Sequence, residues 1–338
     1  MDNQVILDVK HLDVYLNVYS GKVHAVRDVN FNLKKGELMA LVGESGCGKS
    51  MTAKTIMQLL PPDISEIGKD SKILFDGTDI LKMTEKKKEK ELRGKNIAMV
   101  FQDPTTFLNP TMTIGEQISE SLKLHKKLSK KERTERTLSL LKMVKINNPE
   151  KRIHQYPHEL SGGMKQRVMI AIALACEPKI LIADEPTTAL DVTTQADIME
   201  LIGELQKELG TAVILVTHDL GIAAEVADQI KVMYSGELIE EGSKEEIFNH
   251  ALHPYTRALM KSIPSMQSSK EDKLYSLEGT PPDLIHNKVG CAFASRCQYC
   301  MNICKRLHPV MVEQNKEHRI SCWLMHPKAP KYEAKPTL

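Results

Sequence analysis

Aromatic side chains are scarce in this chain of 338 residues, and neither sign of charge dominates. Aromatic residues make up 4% of it, against 41% for all hydrophobic residues, so the core must be aliphatic and rich in methionine. Lys and Arg (46) nearly balance Asp and Glu (44), which leaves a net charge of +2. Binding to nucleic acid would call for a one-sided basic field, so we expect no nucleic-acid partner.

The chain also lacks a long apolar run and a secretory signal. Its longest apolar run, residues 168–176, is far shorter than the ~20 residues that cross a bilayer as a helix. The first four residues show neither the basic start nor the apolar stretch of a signal peptide. We therefore expect a cytosolic chain whose role at a membrane comes through partners. In that compartment its seven cysteines do not indicate disulfides.

Short apolar runs alternate with helical patterns over residues 1–250, which predicts an α/β fold with a parallel sheet. Buried strands are expected at 37–42, 97–102, 180–185 and 212–218. Between about 105 and 160 the pattern is helical without a strand, which predicts a helical subdomain inserted into the core. The pattern changes near residue 250, so we expect 251–338 to form a small cysteine-rich C-terminal domain.

Residues 43–50, GESGCGKS, match the phosphate-binding P-loop pattern between a predicted strand and a predicted helix. The glycines let backbone N–H groups turn toward phosphates, and the helix N-terminus adds partial positive charge. Lys49 is expected to reach the β- and γ-phosphates, and Ser50 to ligate Mg²⁺. The predicted nucleotide-binding residues here are Gly43, Glu44, Ser45, Gly46, Cys47, Gly48, Lys49, Ser50 and Met51. Because Cys47 lies at a helix N-terminus, we expect its thiol pKa to be lowered and its thiol to be reactive.

A second motif is the buried strand that ends in Asp184 and Glu185. Paired carboxylates in a protein with a P-loop suit metal binding and activation of water. Asp184 is expected to hold Mg²⁺, and Glu185 to orient and polarise the attacking water.

The order of motifs carries a family resemblance. The P-loop, Gln102, Leu160-Ser161-Gly162-Gly163, Asp184-Glu185, Ala189-Leu190-Asp191 and His218 follow one another along the chain. Together they resemble the ATP-binding subunits of ABC transporters, over about residues 5–245. The resemblance implies a P-loop NTPase core that binds ATP and Mg²⁺ and works as a dimer.

It also implies a role for each motif. Gln102 would sense the γ-phosphate and Mg²⁺, and His218 would contact the γ-phosphate; both join Lys49 and Glu185 as catalytic residues. Ser161, Gly162 and Gly163 would clasp the γ-phosphate of ATP held by the partner's P-loop, and Asp191 would lie at the dimer seam. The family stacks an aromatic on adenine near Leu16, where Tyr19 is our choice and Tyr15 the alternative. Met164 stands where the family commonly has Gln.

A closer resemblance points to the peptide-importer branch. It rests on residues 101–104 (FQDP), 108–110 (LNP), 156–158 (YPH), 161–175 and 253–256 (HPYT). Within that branch the chain is most similar to the D-type ATPase of oligopeptide and dipeptide importers. This implies a heterodimer with an F-type ATPase at the cytoplasmic face of the membrane, two permeases and an extracytoplasmic binding protein. Nickel importers share much of the pattern and remain an alternative.

Five cysteines crowd into residues 291–322. Cys291, Cys297, Cys304 and Cys322 have the spacing C-x5-C-x6-C-x17-C, and four thiolates can hold Zn²⁺ or a [4Fe–4S] cluster. The family resemblance favours these four with an iron–sulfur cluster and leaves Cys300 spare. We expect a structural centre that ties down a proline-rich tail.

Two other classes of function fit the sequence less well. A soluble ABC ATPase acting on ribosomes or DNA would usually carry two cassettes, long coiled-coil arms or a basic field, none of which the sequence shows. A stand-alone P-loop kinase would have no use for Ser161-Gly162-Gly163.

Overall fold

The structure is a computed structural model that describes residues 4–188, 190–262, 277–280, 282–285 and 289–330. Ala189 of the predicted dimer-seam motif lies outside these residues, as do parts of the predicted C-terminal domain. The strands, in chain order, are β1 (Val5–Val18), β2 (Gly21–Lys34), β3 (Leu38–Val42), β4 (Ser65–Ile67), β5 (Lys72–Phe75), β6 (Thr78–Asp79), β7 (Ile97–Val100), β8 (Ile180–Asp184), β9 (Ala212–Thr217), β10 (Gln229–Tyr234), β11 (Glu237–Ser243), β12 (Val312–Asn315) and β13 (His318–Ile320).

The helices follow the same order. They are α1 (Lys49–Ile56), α2 (Glu85–Lys87), α3 (Pro104–Phe107), α4 (Ile114–His125), α5 (Lys130–Met143), α6 (Pro149–Arg152), α7 (Gly162–Leu174), α8 (Val192–Leu209), α9 (Leu220–Val226), α10 (Lys244–His250) and α11 (Pro254–Lys261). Short 3-10 turns lie at Ile80–Lys82, Pro157–Glu159, Ile303–Lys305 and Trp323–Met325, and a π-helical turn lies at Lys88–Leu92. Over the described ranges, no helix combines the length and the apolar character needed to span a membrane.

The chain divides into two compact units. The first comprises the described part of Met1–Ile6 with Leu33–Leu38 and Phe75–Val216. The second comprises Leu7–Asn32, Met39–Leu74 and the described part of Thr217–Leu338.

A parallel sheet forms the centre of the first unit. Strands β7, β8 and β9 lie side by side, with Ile97 opposite Ile180 and Ile180 opposite Ala212. Every residue of these three strands is buried, as is usual in a parallel sheet, which has helices on both faces. The α/β expectation with its predicted strands is confirmed here.

Helices α3 to α7 fill the stretch between β7 and β8 without an intervening strand. Two of them begin with reciprocal capping boxes, in which the side chain of the capping residue and that of the third helical residue bond each other's backbone N–H groups. These pairs are Thr113 with Glu116 and Ser129 with Glu132. The limits 105–160 for a separate helical subdomain, and the boundary near 250, stay predictions.

The second unit contains antiparallel as well as parallel pairing. Strand β3 pairs parallel with β10, which pairs antiparallel with β11. The C-terminal strands β13 and β12 then continue from β11, both antiparallel. Strands β12 and β13 have only four and three residues, too few for an alternating hydrophobic pattern to predict them from the sequence. The cysteine-bearing tail thus adds its own strands to the sheet of this unit, with Ile320 fully buried.

Candidate functional site

The predicted P-loop joins the end of β3 to the start of α1. Strand β3 is buried throughout, and Lys49 is the first residue of the helix. A Cβ at Gly43 would collide with the carbonyl oxygen of Met233, and one at Gly48 would lie 2.5 Å from the carbonyl oxygen of Ala25. Gly48 also has a left-handed φ of 104°. Only glycine fits both positions, because the loop packs directly against neighbouring backbone.

The Lys49 side chain is held over this loop. It is 3% exposed, and its Nζ donates hydrogen bonds to the carbonyl oxygens of Gly43 (2.7 Å) and Glu44 (2.9 Å). An ammonium fixed by the carbonyls of the loop that would cradle phosphates is suited to receive phosphate oxygens. Ser50 and Met51 follow on α1, and the hydroxyl of Ser50 is the kind of oxygen ligand that Mg²⁺ prefers.

The predicted acidic pair lies at the carboxyl end of β8, in the first unit. Asp184 is 4% exposed and ends the strand. Glu185 follows with a left-handed φ of 47°, and its N–H donates to the carbonyl oxygen of Val216 at 2.9 Å. A non-glycine residue in this conformation costs about 1–3 kcal/mol, and such strain clusters at functional sites.

Two donors orient the carboxylate of Glu185. Gln102 Nε2 and Thr188 Oγ1 each donate to Glu185 Oε2 at 2.9 Å. The structure therefore brings together Gln102 and Glu185, two residues that the sequence predicted from separate motifs. Thr188 was missed; the only indication was a hydroxyl residue three positions after Glu185 in a tight turn.

The Ser161-Gly162-Gly163 turn begins helix α7. The Ser161 Oγ accepts a hydrogen bond from the backbone N–H of Met164 at 3.4 Å. This cap uses only the backbone of residue 164, so it forms equally well with Met or with the Gln common in the family. A Cβ on Gly163 would lie 2.5 Å from Thr194 Cγ2 in α8, so a larger residue here would require the Thr194 side chain to move.

Asp191 caps the same helix α8. Its carboxylate accepts from the backbone N–H of Thr194 (3.0 Å) and from Thr194 Oγ1 (2.7 Å). These bonds, led by the backbone one, lower the pKa of Asp191 below its ordinary range. The N-terminal ends of α7 and α8 are thus neighbours, and Ser161, Gly162 and Asp191 are all exposed.

The remaining predicted residues lie in the second unit with the P-loop. His218 follows β9 directly and is exposed. Tyr19 is fully exposed in the turn between β1 and β2. Tyr15 instead stacks on His24 with ring centroids 4.2 Å apart, so one of its faces is covered. Adenine stacking by Tyr19 stays a prediction.

The expectation that the thiol pKa of Cys47 is lowered is wrong. The residue is 6% exposed, and burial raises the pKa of its thiol, although nearby Lys49 acts in the opposite direction. The helix N-terminus argument omitted desolvation, which penalises a thiolate packed against the loop.

The expectation of a metal centre in the tail is not supported. Among the residues that the structure describes, which include all five tail cysteines, no group of three or more His, Cys, Asp or Glu is arranged to hold a metal ion. Burial is the main reason that the thiol pKa rises to about 12 at Cys291 and Cys322 and to about 11 at Cys297. Ligand thiols must be deprotonated, so a metal ion that binds here would have to displace protons from these thiols.

The cysteine thiols of the tail affect one another's pKa. The neighbouring thiols of Cys291, Cys297 and Cys304 contribute to the raised pKa of Cys322. The backbone N–H of Cys291 also donates to the carbonyl oxygen of Cys304 at 2.8 Å.

The second unit has a P-loop after a buried strand, and the first has an acidic strand end whose carboxylate accepts from a glutamine; each is a feature of ATP-binding cassettes. A profile of the ABC transporter family matches residues 26–188. The solved structure titled "Dimeric structure of a post-hydrolysis state of the ATP-binding cassette MJ0796 bound to ADP and Pi" is similar to this chain, with a TM-score of 0.63 and 31% identity. That likeness covers 70% of this chain and 98% of the other. The fold and the site therefore define the class as ABC ATPases.

Similar proteins of known name indicate which family of ABC ATPases this is. The chain is 51% identical to the oligopeptide transport ATP-binding protein OppD of Bacillus subtilis, over 97% of this chain and 91% of the relative. It is 48% identical to the dipeptide transport ATP-binding protein DppD of the same organism, over 96% of each. A profile described as the C-terminal region of oligopeptide/dipeptide transporters matches residues 239–304. The chain belongs to the family of oligopeptide and dipeptide transport ATP-binding proteins.

Proposed function

We propose that this chain binds and hydrolyses ATP to power the import of oligopeptides or dipeptides. The observation that carries the proposal is the oriented carboxylate of Glu185, held by Gln102 and Thr188 in a chain that also carries a glycine-fitted P-loop. The peptide substrate class rests on the names of relatives that are about half identical over nearly the whole chain. These relatives favour peptides over nickel, the alternative that the sequence left open.

The proposal assigns the predicted site residues as follows. Lys49 and the P-loop N–H groups hold the β- and γ-phosphates. Ser50, Asp184 and Gln102 hold Mg²⁺, which neutralises charge on the phosphates when it is bound. Glu185 accepts a proton from the attacking water, because its carboxylate is already fixed by two hydrogen bonds. His218 contacts the γ-phosphate, and Tyr19 stacks on adenine.

The proposed catalytic centre is completed by a second ATPase chain. We assign the clasp of the partner's ATP to Ser161, Gly162 and Gly163, with Asp191 at the seam. What supports this is the exposure of these helix ends and the close contact between α7 and α8 at Gly163. The partner proposed is an F-type ATPase chain rather than a second copy. Purification of the tagged chain from its native cell tests this: recovery with a different ATPase chain supports it, and a homodimer alone would refute it.

The chain would work as a peripheral subunit at the cytoplasmic face of the membrane. Two permeases would hold it there, and an extracytoplasmic binding protein would deliver the peptide. Uptake of a labelled peptide by cells tests the function as a whole. A strain lacking this chain should lose uptake, the wild-type chain should restore it, and Lys49→Ala should not. Full uptake with Lys49→Ala would refute the proposal.

The iron–sulfur cluster on Cys291, Cys297, Cys304 and Cys322, with zinc as its alternative, belongs among the proposals. The proposal is supported by the effect of Cys291, Cys297 and Cys304 on the pKa of Cys322, in a short tail whose strand β13 pairs with β11. Metal and acid-labile sulfide analysis of anaerobically purified full-length protein tests it. Iron with sulfide supports the cluster, zinc without sulfide supports the alternative, and neither element would end both.

A further inference from the structure

Glu44 is the P-loop residue whose surroundings the proposed function leaves unexplained. Its carboxylate meets the guanidinium of Arg296, 252 positions along the chain, in a two-pronged ion pair. Arg296 Nη1 lies 2.6 Å from Glu44 Oε2, and Arg296 Nη2 lies 3.0 Å from Glu44 Oε1. The Arg296 side chain is 4% exposed and that of Glu44 26%. Such forked, largely buried pairs fix geometry as well as charge.

Other polar groups hold Arg296 in place. Its Nε donates to the carbonyl oxygen of Glu278 (3.0 Å), and its Nη2 donates to that of Leu277 (3.3 Å). Its Nη1 also lies 3.4 Å from the hydroxyl of Tyr234. The guanidinium therefore reaches Glu44 from a fixed position.

A second side chain forms a hydrogen bond with the backbone of Glu44. The hydroxyl of Tyr255 accepts a hydrogen bond from the Glu44 N–H at 2.8 Å. Phe293 packs edge-on against Tyr234 and Tyr255, with ring centroids 5.2 and 5.4 Å apart. Phe293 and Arg296 belong to the same turn, since the Arg296 N–H donates to the Phe293 carbonyl oxygen. The cysteine-bearing tail thus reaches the P-loop through one compact cluster.

We propose that Arg296 and Tyr255 are positioning residues of the nucleotide site. Arg296 neutralises Glu44, and Tyr255 fixes the Glu44 backbone, so that the loop is shaped for phosphate before the nucleotide arrives. This inference rests on the proposed function, because it assigns these residues to the P-loop of that site.

The charge argument is direct. A nucleotide polyphosphate carries several negative charges, and an unpaired carboxylate in the P-loop would repel them. The same carboxylate would also compete for Lys49, whose Nζ already donates to the Glu44 carbonyl oxygen. Pairing with Arg296 removes both effects. Tyr255 holds the peptide group between Gly43 and Glu44, whose carbonyl oxygen, that of Gly43, is the other acceptor of Lys49 Nζ.

Calorimetric titration of the full-length chain with Mg-ADP measures the effect. We expect Arg296→Met to bind about tenfold more weakly than wild type, because a carboxylate is left unpaired near the phosphates. Tyr255→Phe should bind about threefold more weakly, since the Glu44 N–H loses its acceptor. The matched control is Arg319→Met, which removes another tail arginine and its ion pair with Glu241. It should bind like wild type.

A rescue separates charge from mere structural support. In the Arg296→Met background, Glu44→Gln removes the repelling charge, so Mg-ADP affinity should return to within about twofold of that of Glu44→Gln alone. A merely structural arginine would give no rescue, because the loop would remain misplaced. A double variant as weak as Arg296→Met, or an Arg296→Met protein that binds like wild type, would overturn the inference.

Two further variants keep the test decisive. If Arg296→Met does not fold, Arg296→Lys keeps the charge without the fork and should bind within about threefold of wild type; a tenfold loss there would overturn the charge argument. Lys49→Ala tests the site itself. If Lys49→Ala retains full affinity, the proposed function fails. If Lys49→Ala loses affinity but Arg296→Met does not, only this inference fails.

Discussion

Replacement of Gly163 by alanine is a sharp test of how the Ser161-Gly162-Gly163 turn is built. The added Cβ would lie 2.5 Å from Thr194 Cγ2, closer than carbon atoms approach in folded proteins. Overpacking of this kind costs about 1–3 kcal/mol. Alanine regains about 1 kcal/mol of helix propensity at this position, so we expect a net loss of up to about 2 kcal/mol in the free energy of unfolding.

The control is Gly203→Ala in the interior of α8, where an added Cβ meets nothing within 4 Å. That change should stabilise the protein by about 0.5–1 kcal/mol, because only the helix propensity term remains. Thr194→Ser removes the colliding methyl group and keeps the hydroxyl that bonds Asp191. In that background Gly163→Ala should lose most of its penalty. Denaturant unfolding of the four variants gives these differences; equal effects at positions 163 and 203, or no relief by Thr194→Ser, would refute the packing argument.

Two other predictions follow from buried titratable groups. Burial alone would lower the pKa of His318, but its hydrogen bonds to Glu240 (2.8 Å) and Glu246 (3.2 Å) outweigh burial and raise it. Protonated His318 therefore stabilises the fold fully below its ordinary pKa of 6.5, and this contribution is lost as pH rises through the raised pKa. The stability advantage of wild type over His318→Gln should therefore shrink as the pH is raised above 6.5. A constant advantage in unfolding experiments would contradict it. For Cys47, buried and with a raised pKa, we expect maleimide labelling of the native chain, followed by peptide mass spectrometry, to be slower than at Cys300; faster labelling of Cys47 would show that the loop opens.

Local patterns predicted the scaffold of the site well. The runs at 97–102, 180–185 and 212–218 became β7, β8 and β9, because short apolar runs that end on polar residues are typical of buried parallel strands. The P-loop pattern likewise placed the end of β3 and the start of α1, since its glycine spacing is tied to a strand–loop–helix geometry.

Contacts between distant parts of the chain could not be predicted in this way. The Gln102–Glu185 hydrogen bond joins residues 83 positions apart, and the Arg296–Glu44 pair joins residues 252 apart. No local pattern in the sequence indicates either of these contacts. The left-handed φ of Glu185 could not be predicted from the sequence either, because residues other than glycine rarely adopt this conformation.

Two expectations based on local chemistry omitted burial. A helix N-terminus lowers the pKa of an accessible thiol, but Cys47 is packed away from water and its thiol pKa rises instead. Cysteine spacing likewise shows which thiols can be neighbours, yet it does not fix the direction of each side chain or its degree of burial. The raised thiol pKa values of Cys291, Cys297 and Cys322 come mainly from that burial.

Hydrolysis of ATP by the assembled transporter tests the central claim most directly. The comparison is between wild type and Glu185→Gln in a single-turnover experiment, with bound ATP measured in parallel. Glutamine keeps the size of the side chain but cannot accept the proton from water. We expect hydrolysis of the ATP held by this chain to fall by about a hundredfold or more while ATP stays bound. Hydrolysis at the wild-type rate would contradict the assignment of Glu185 as the residue that activates water.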